Sequence, residues 1–297
     1  MEKKTWQYHL ILLFGRFVQL FPYSWLLTIG SGIGSILYSL SGRHRERGVQ
    51  NVMATLKYSE EEARQLIRKM YRHLGKSALE MLYTPKLIRS SQKLGKIIEY
   101  DISDTFMEHV RSGKGGIFIT AHYGNWEWLA MGVAAKGIAV GTIVKNQPQP
   151  WVNALLNGNR RLTGVEVFPR TNSGKEILAG IRSIKKGKFL GLLCDQDGGA
   201  DGMVVSFLGK PASTMVGPGI IAARTGGIVY SAFIQRRESG GHRIRIGEPL
   251  IESESPEEIT IAIQKEIERV IREKPEEWLW LQRRWNTPVE GGGKAHE

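Results

Sequence analysis

The sequence predicts a mixed α/β fold: a central, largely parallel sheet flanked by helices, preceded by hydrophobic helices at the N-terminus. Three observations carry this expectation. Short apolar runs rich in β-branched residues, such as Gly115-Gly-Ile-Phe-Ile-Thr120 and Phe189–Cys194, alternate with helix-patterned segments through the middle of the chain, the pattern of βαβ units. The 297 residues are 41% hydrophobic and 24% charged, enough for a sizeable core and too apolar for a disordered chain. From Phe17 to Gly42 no charged residue occurs for 26 positions.

Each element follows in order. Within the uncharged stretch, Pro22 breaks the run and Gly30, Gly32 and Gly34 weaken its middle. Basic residues flank both ends: Lys3 and Lys4 before, Arg43, Arg45 and Arg47 after. A spanning helix wants asymmetric flanks. Two shorter elements lying in a membrane interface, with Trp6, Tyr8, Tyr23, Trp25 and Tyr38 near headgroup level, fit better; a helical hairpin buried in a soluble core is the alternative. Ser59 followed by Glu60, Glu61 and Glu62 caps a helix whose apolar positions run from Ala63 to about Tyr83, with Pro85 ending it. Beyond the strand 115–120, helices are expected at Trp126–Ala135, Trp151–Thr163 and Gly174–Lys186, with strands at Ile138–Val144 and Glu166–Phe168. Strand Phe189–Cys194 and strand Val204–Phe207 come next, then a loop and helix over Ser213–Thr225. Strands Ile228–Gln235 and Arg243–Ile246 precede an amphipathic helix, Pro256–Lys274. The chain divides into an anchor (1–42), a main domain (43–289) and a disordered tail (290–297).

Charge sharpens the choice of partner. Lys and Arg number 41 against 29 Asp and Glu, a formal net charge of +12. Residues 1–99 hold 16 basic and 7 acidic residues, and 158–188 hold eight and two. The first block reads as attraction of the apolar hairpin to an anionic lipid surface, the second as a surface for phosphates or an acidic protein. Nucleic acid is disfavoured, since the basic residues are not interleaved with stacking aromatics. The single cysteine, Cys194, excludes an intrachain disulfide framework and multi-thiolate zinc modules, and its place at an apolar strand end marks it as inert core.

The chemistry-bearing feature is Ala121-His-Tyr-Gly-Asn-Trp-Glu127. His122 follows a buried strand, and Glu127 lies five residues on. On one continuous helix the two would diverge, but a His in the loop before the helix is within reach of a Glu in its first turn. Gly124 permits the tight turn, and Asn125 is suited to cap the helix. The pair is a candidate general base with an orienting carboxylate, acting on a hydroxyl that the substrate brings. Asp195, in Cys-Asp-Gln-Asp at the end of strand 189–194, can converge with His122 beyond the carboxyl ends of the strands. Arg160 and Arg170 add phosphate-binding capacity. No metal site is expected at His122, because no second His or Cys lies near it in the sequence; the Asp195-Gln-Asp197 turn is equally a structural loop or a metal site.

These residues resemble the bacterial lipid A biosynthesis (lauroyl- and myristoyl-type, or late) acyltransferases, a family that includes phosphatidylinositol mannoside acyltransferase. The resemblance rests on His122-x4-Glu127, Arg47 with Asn51, Arg160, Arg170, Leu-Leu-Cys-Asp-Gln-Asp197, Phe207–Thr214 and Pro275–Trp285, and covers nearly the whole chain. Gln282 and Lys145 depart from the family's usual His and Arg. The resemblance implies a glycerol-phosphate-acyltransferase-like fold and transfer of an acyl chain from acyl-carrier protein or acyl-CoA to a glycolipid hydroxyl, without a cofactor. The acceptor implied is a lipid A precursor in lipopolysaccharide biosynthesis, on the cytoplasmic side of the cell inner membrane. His122 would be the base, Glu127 its orienting group, and Arg160 the ligand of a phosphate or oxyanion; Arg170, Asp195 and Asn125 complete the substrate-binding candidates. Another glycolipid acceptor, or a non-catalytic membrane-anchored lipid-binding module, are the alternative expectations.

Overall fold

The computed structural model describes residues 5–171 and 173–289; the tail expected to be disordered lies outside them. Helices α1 (Trp6–Val18), α2 (Tyr23–Leu40), α3 (Gly42–Leu56), α4 (Glu60–Leu87) and α5 (Ser91–Ile97) open the chain. There follow β1 (Ile98–Ile102), α6 (Asp104–Arg111), β2 (Gly116–Thr120), α7 (Trp126–Ala135), β3 (Val140–Val144), α8 (Pro150–Leu162), β4 (Glu166–Pro169), α9 (Lys175–Lys185) and β5 (Phe189–Leu193). A hairpin, β6 (Met203–Phe207) and β7 (Lys210–Thr214), precedes α10 (Gly217–Thr225), β8 (Ile228–Arg236), β9 (His242–Pro249) and α11 (Pro256–Glu273). The last described segment, a single 3-10 turn (Pro275–Glu277) and the irregular strap behind it, runs beside the loop that follows β2, where Trp278 pairs with Tyr123.

The seven-stranded sheet has the order β1-β9-β8-β2-β5-β3-β4. All neighbours are parallel except β8 and β9, so the mixed, largely parallel sheet flanked by helices is as the sequence predicts. One core lies between the sheet and α11, α4 and the strap; another lies between the opposite face, α7 and the α2–α4 layer.

The N-terminal apolar stretch forms two helices, broken where Pro22 caps α2. Among the described residues, no helix is long and apolar enough to cross a membrane. The glycines of α2 have a specific task. A Cβ on Gly34 would lie 2.1 Å from the Tyr71 carbonyl oxygen, and one on Gly30 2.7 Å from the Lys76 Cα. Backbone therefore meets backbone where α2 crosses α4, beside Gly75. The outward face of the α1–α2 pair leaves Trp6, Leu13, Leu20, Trp25 and Leu40 more than half exposed.

Two expectations need correction. Pro85 does not end α4; it sits in the last turn, and the helix runs to Leu87. Proline removes the N–H that would bond the Met81 carbonyl, and Asn159 Nδ2 of α8 donates to that carbonyl instead, at 2.8 Å. Ser213 and Thr214 belong to β7 rather than to a loop, because Val204 and Ser213, Met203 and Thr214 pair across the hairpin. The segments 42–57 and 86–114, left without elements in the sequence reading, hold α3, α5, β1 and α6.

Candidate active site

Strand register builds the site. In the parallel pair β2–β5, Thr120 stands opposite Leu193. Two residues beyond each lie His122 and Asp195, which the equal offset brings level at the carboxyl edge of the sheet. Asp195 is fully buried. Its Oδ1 lies 2.8 Å from His122 Nδ1, and its Oδ2 accepts the His122 backbone N–H at 2.9 Å. Oδ2 also accepts from Trp278 Nε1 and Gln282 Nε2, each at 2.8 Å. From behind, Gln264 of α11 donates to the Cys194 carbonyl at 2.9 Å. The fully buried Arg284 reaches the Gln264 amide oxygen at 3.2 Å.

The loop carrying His122 is shaped by Gly124. Its φ is +58°, and a Cβ there would lie 2.0 Å from the Ile234 carbonyl oxygen, so only glycine fits. Asn125 Oδ1 accepts the Trp128 N–H at 3.2 Å and caps α7. Its amide nitrogen donates to Glu80 at 2.8 Å. Asn125, expected among the substrate-binding residues, is thus buried and spends both ends of its amide on the protein. It belongs to the frame of the loop.

Glu127 does not orient the imidazole by a hydrogen bond. Its carboxylate is gripped by Arg160 of α8, with Nε to Oε2 at 3.0 Å and Nη2 to Oε1 at 2.6 Å, while Arg160 Nη1 donates to Asn157 at 2.8 Å. The orienting carboxylate is Asp195. The charge of Glu127 favours the protonated imidazole of His122. Nε, Nη1 and Nη2 of Arg160 are each engaged once in these bonds, by Glu127 and Asn157. Arg170 is exposed just beyond β4, its backbone N–H bonded to the Val144 carbonyl at 2.7 Å. Cys194 is buried with its thiol pushed up by desolvation, consistent with core.

The electrostatics of the central pair are reciprocal. Burial disfavours the charged imidazole, but the charge and hydrogen bond of Asp195, with the charge of Glu127, outweigh it and hold His122 above the usual histidine value. Burial likewise opposes ionisation of Asp195, yet His122, the Gln282 amide and the His122 N–H bring its carboxyl down to about 2. With Nδ1 donating to a carboxylate, the neutral ring presents Nε2 as its acceptor. The side chain is 19% exposed, and the Trp126 ring meets it edge-on at 5.2 Å.

A buried ionic cluster that sequence reading missed supports this loop. Glu80 of α4 accepts hydrogen bonds from Arg236 (2.6 and 2.9 Å), Tyr23 (2.6 Å) and Asn125 (2.8 Å), and faces His242 Nε2 at 3.0 Å. Desolvation opposes its charge, but His242 and Arg236 hold its carboxyl well below the ordinary glutamate value.

The site is thus an imidazole locked by a buried carboxylate at the carboxyl edge of a largely parallel sheet, beside a charged Arg–Glu pair, in an α/β fold whose ligands ordinarily collect at that edge. A family profile described as bacterial lipid A biosynthesis acyltransferase matches residues 2–287. The chain belongs to that family and is an acyltransferase. It is 26% identical to the lipid A biosynthesis acyltransferase of Haemophilus influenzae over 208 residues, which cover 69% of this chain and 64% of that protein, slightly under two thirds of its length. It is 24% identical to the lipid A biosynthesis lauroyltransferase of Escherichia coli over 290 residues, 91% of this chain and 88% of that one. The palmitoleoyltransferase of the same organism is also 24% identical, over 90% of this chain and 86% of its own length. Among solved structures, the 1-acyl-sn-glycerophosphate acyltransferase of Thermotoga maritima aligns with a TM-score of 0.39 and 16% identity, covering 85% of this chain and 96% of that one.

Proposed function

We propose that the protein transfers a fatty acyl chain from an acyl thioester, carried by acyl-carrier protein, to a hydroxyl of a lipid A precursor at the cytoplasmic face of the inner membrane. The observation that carries the reading is the double hydrogen bond between His122 and Asp195, which fixes the tautomer that presents Nε2 as a base. Family membership supports the acyl group and the lipid acceptor.

In this mechanism His122 Nε2 removes the proton of the acceptor hydroxyl as its oxygen attacks the thioester carbonyl. Asp195 stabilises the imidazolium that forms, and the charge of Glu127 adds to it. The tetrahedral intermediate collapses with loss of the thiolate, and His122 returns its proton to that sulfur. No acyl-enzyme is required. The exposed basic side chains Arg170, Lys175, Arg182, Lys185 and Lys186 support recognition of a phosphate-bearing acceptor or an acidic carrier. The exposed apolar face of α1 and α2 supports adsorption to the membrane.

The test is acylation of a lipid A precursor by the purified protein with acyl-carrier-protein thioester as donor, read by mass spectrometry. His122→Ala is expected to lower turnover at least about 100-fold, the low end for a general base. Wild-type turnover by that variant would remove His122 from the mechanism, and acylation of a different glycolipid in place of the precursor would replace the acceptor.

A further inference from the structure

Two sequence motifs, Arg47 with Asn51 and Pro275–Trp285, are given no role in the mechanism above, yet the fold joins them to one another, and the second of them to Asp195. Of the three hydrogen bonds that Asp195 Oδ2 accepts, two come from the strap behind Pro275: one from Trp278 and one from Gln282. The strap is fastened to the His122 loop from one side. Leu279 N–H donates to the His122 carbonyl, and Gly124 N–H to the Glu277 carbonyl, each at 2.9 Å. From the other side α3 holds it: Asn51 Nδ2 donates to the Trp280 carbonyl at 2.9 Å and the Gln282 carbonyl at 3.4 Å, and Arg47 Nη1 to the Leu281 carbonyl at 3.1 Å.

The two side-chain donors differ in kind. Trp278 is fully buried against Phe207, Trp280 and Trp285, so its indole also fills the core. Gln282 is half-buried, and its Oε1 is shut away from solvent without a hydrogen-bond partner. An orphaned buried acceptor is unfavourable, and the compensation visible in the fold is the other end of the same amide, delivered to Asp195.

We propose that Gln282 is a positioning residue that acts on His122 through Asp195, and that Asn51 and Arg47 hold the strap in register for it. This rests on the reading of His122 as the base. The effect has a sign. A donor on Oδ2 draws charge away from the carboxylate, so Asp195 stabilises the imidazolium less than it would without that donor. Losing the amide therefore raises the ring's proton affinity, and a cation in its place lowers it. The charged and titratable groups that face the pair are Glu127 from α7, itself paired with Arg160 of α8, Arg284 from the strap and the Cys194 thiol at the end of β5. Substitutions at 282 leave all of them in place.

The experiment is an NMR titration of the full chain in detergent, with ring-labelled histidine and the His122 resonance assigned by its loss in His122→Gln. Gln282→Leu is expected to raise the His122 midpoint by about half a unit, and Gln282→Lys to lower it by about as much. Asn51→Ala should move it in the direction of Gln282→Leu, by less. Opposite shifts from two substitutions at one position do not arise from mere loosening. A midpoint unmoved in any folded Gln282 variant, as judged by circular dichroism, overturns the proposal; one folded variant of the two suffices. The acylation assay of His122→Ala stands apart: wild-type turnover there would overturn the base, while the titration still reports whether residue 282 acts on the ring.

Discussion

His122 and Asp195 are joined twice, once through the ring at 2.8 Å and once through the backbone N–H at 2.9 Å. The carboxylate thus fixes both the position of the residue and the tautomer of its ring. For a general base the working form is the neutral ring, and His122 titrates above the usual value of about 6.5. Turnover should therefore rise with pH through that raised midpoint. In Asp195→Asn the source of the elevation is gone, so the inflection moves to lower pH. The plateau falls at least about 100-fold, because an amide no longer selects the tautomer or stabilises the imidazolium. A pH–rate profile of the variant checks both; an inflection that stays or moves upward contradicts the assignment of Asp195.

Glu127 and Arg160 form a two-point ion pair with both side chains about 15% exposed. Removing either leaves the other partly buried and uncompensated. Glu127→Gln and Arg160→Met should each lower turnover about tenfold or more, and the double variant should lose far less than the product of the two. Coupling of about 1–3 kcal/mol in such a cycle is the expectation for charged residues in contact. Strict additivity would mean that the two side chains serve separate roles, as the sequence alone had led one to expect.

How far these relationships were visible in the sequence depends on how local their causes are. Short apolar runs announce β2 and β5, and because adjacent parallel strands end level, His122 and Asp195 were legible as neighbours. The cap at Ser59 and the turn at Gly124 are likewise written within a few residues. The partner of Glu127 is not, since it depends on where α8 comes to rest against α7. Glu80, Arg236 and His242 lie on three separate elements, and each is surrounded by ordinary amphipathic sequence. Only the packed fold shows that one acid, one base and one imidazole share a dry site. Pro85 misled for a related reason: the carbonyl it orphans is satisfied from α8, far away in the chain.

The Glu80 cluster carries a stability prediction. Glu80→Gln takes from the buried Arg236 the carboxylate that its guanidinium bonds twice, and loss of one member of a buried pair costs about 3–5 kcal/mol. The sign with pH follows from the lowered carboxyl. A glutamate whose folded value lies below its unfolded value stabilises fully above the unfolded value, about 4.3, and loses that contribution as pH falls toward the folded value. Denaturant midpoints should then differ most between wild type and Glu80→Gln near neutrality, and converge in acid. A gap that stays constant with pH would show that shape, not charge, is what Glu80 supplies.

The proposed adsorption of the α1–α2 pair to lipid carries its own prediction. Its inner face is spent on α4, where Gly30 and Gly34 bring the helices into backbone contact. Its outer face therefore holds the large apolar side chains, and Arg16 and Arg43 stand exposed along and just beyond the two helices. Burying one Leu- or Trp-sized side chain contributes about 1.5–3 kcal/mol, and a basic residue near an anionic surface about 1 kcal/mol. Replacing Leu13 by Asp should consequently weaken binding to anionic vesicles at least about tenfold, and Trp25→Asp should do the same, since 1.4 kcal/mol is a factor of ten. Arg43→Gln should cost less, and only at low salt, where the charge is unscreened. Vesicle flotation across a salt series separates the two contributions. If the Asp variants float as well as wild type at every salt concentration, the exposed face of α1 and α2 is not the surface that meets the bilayer.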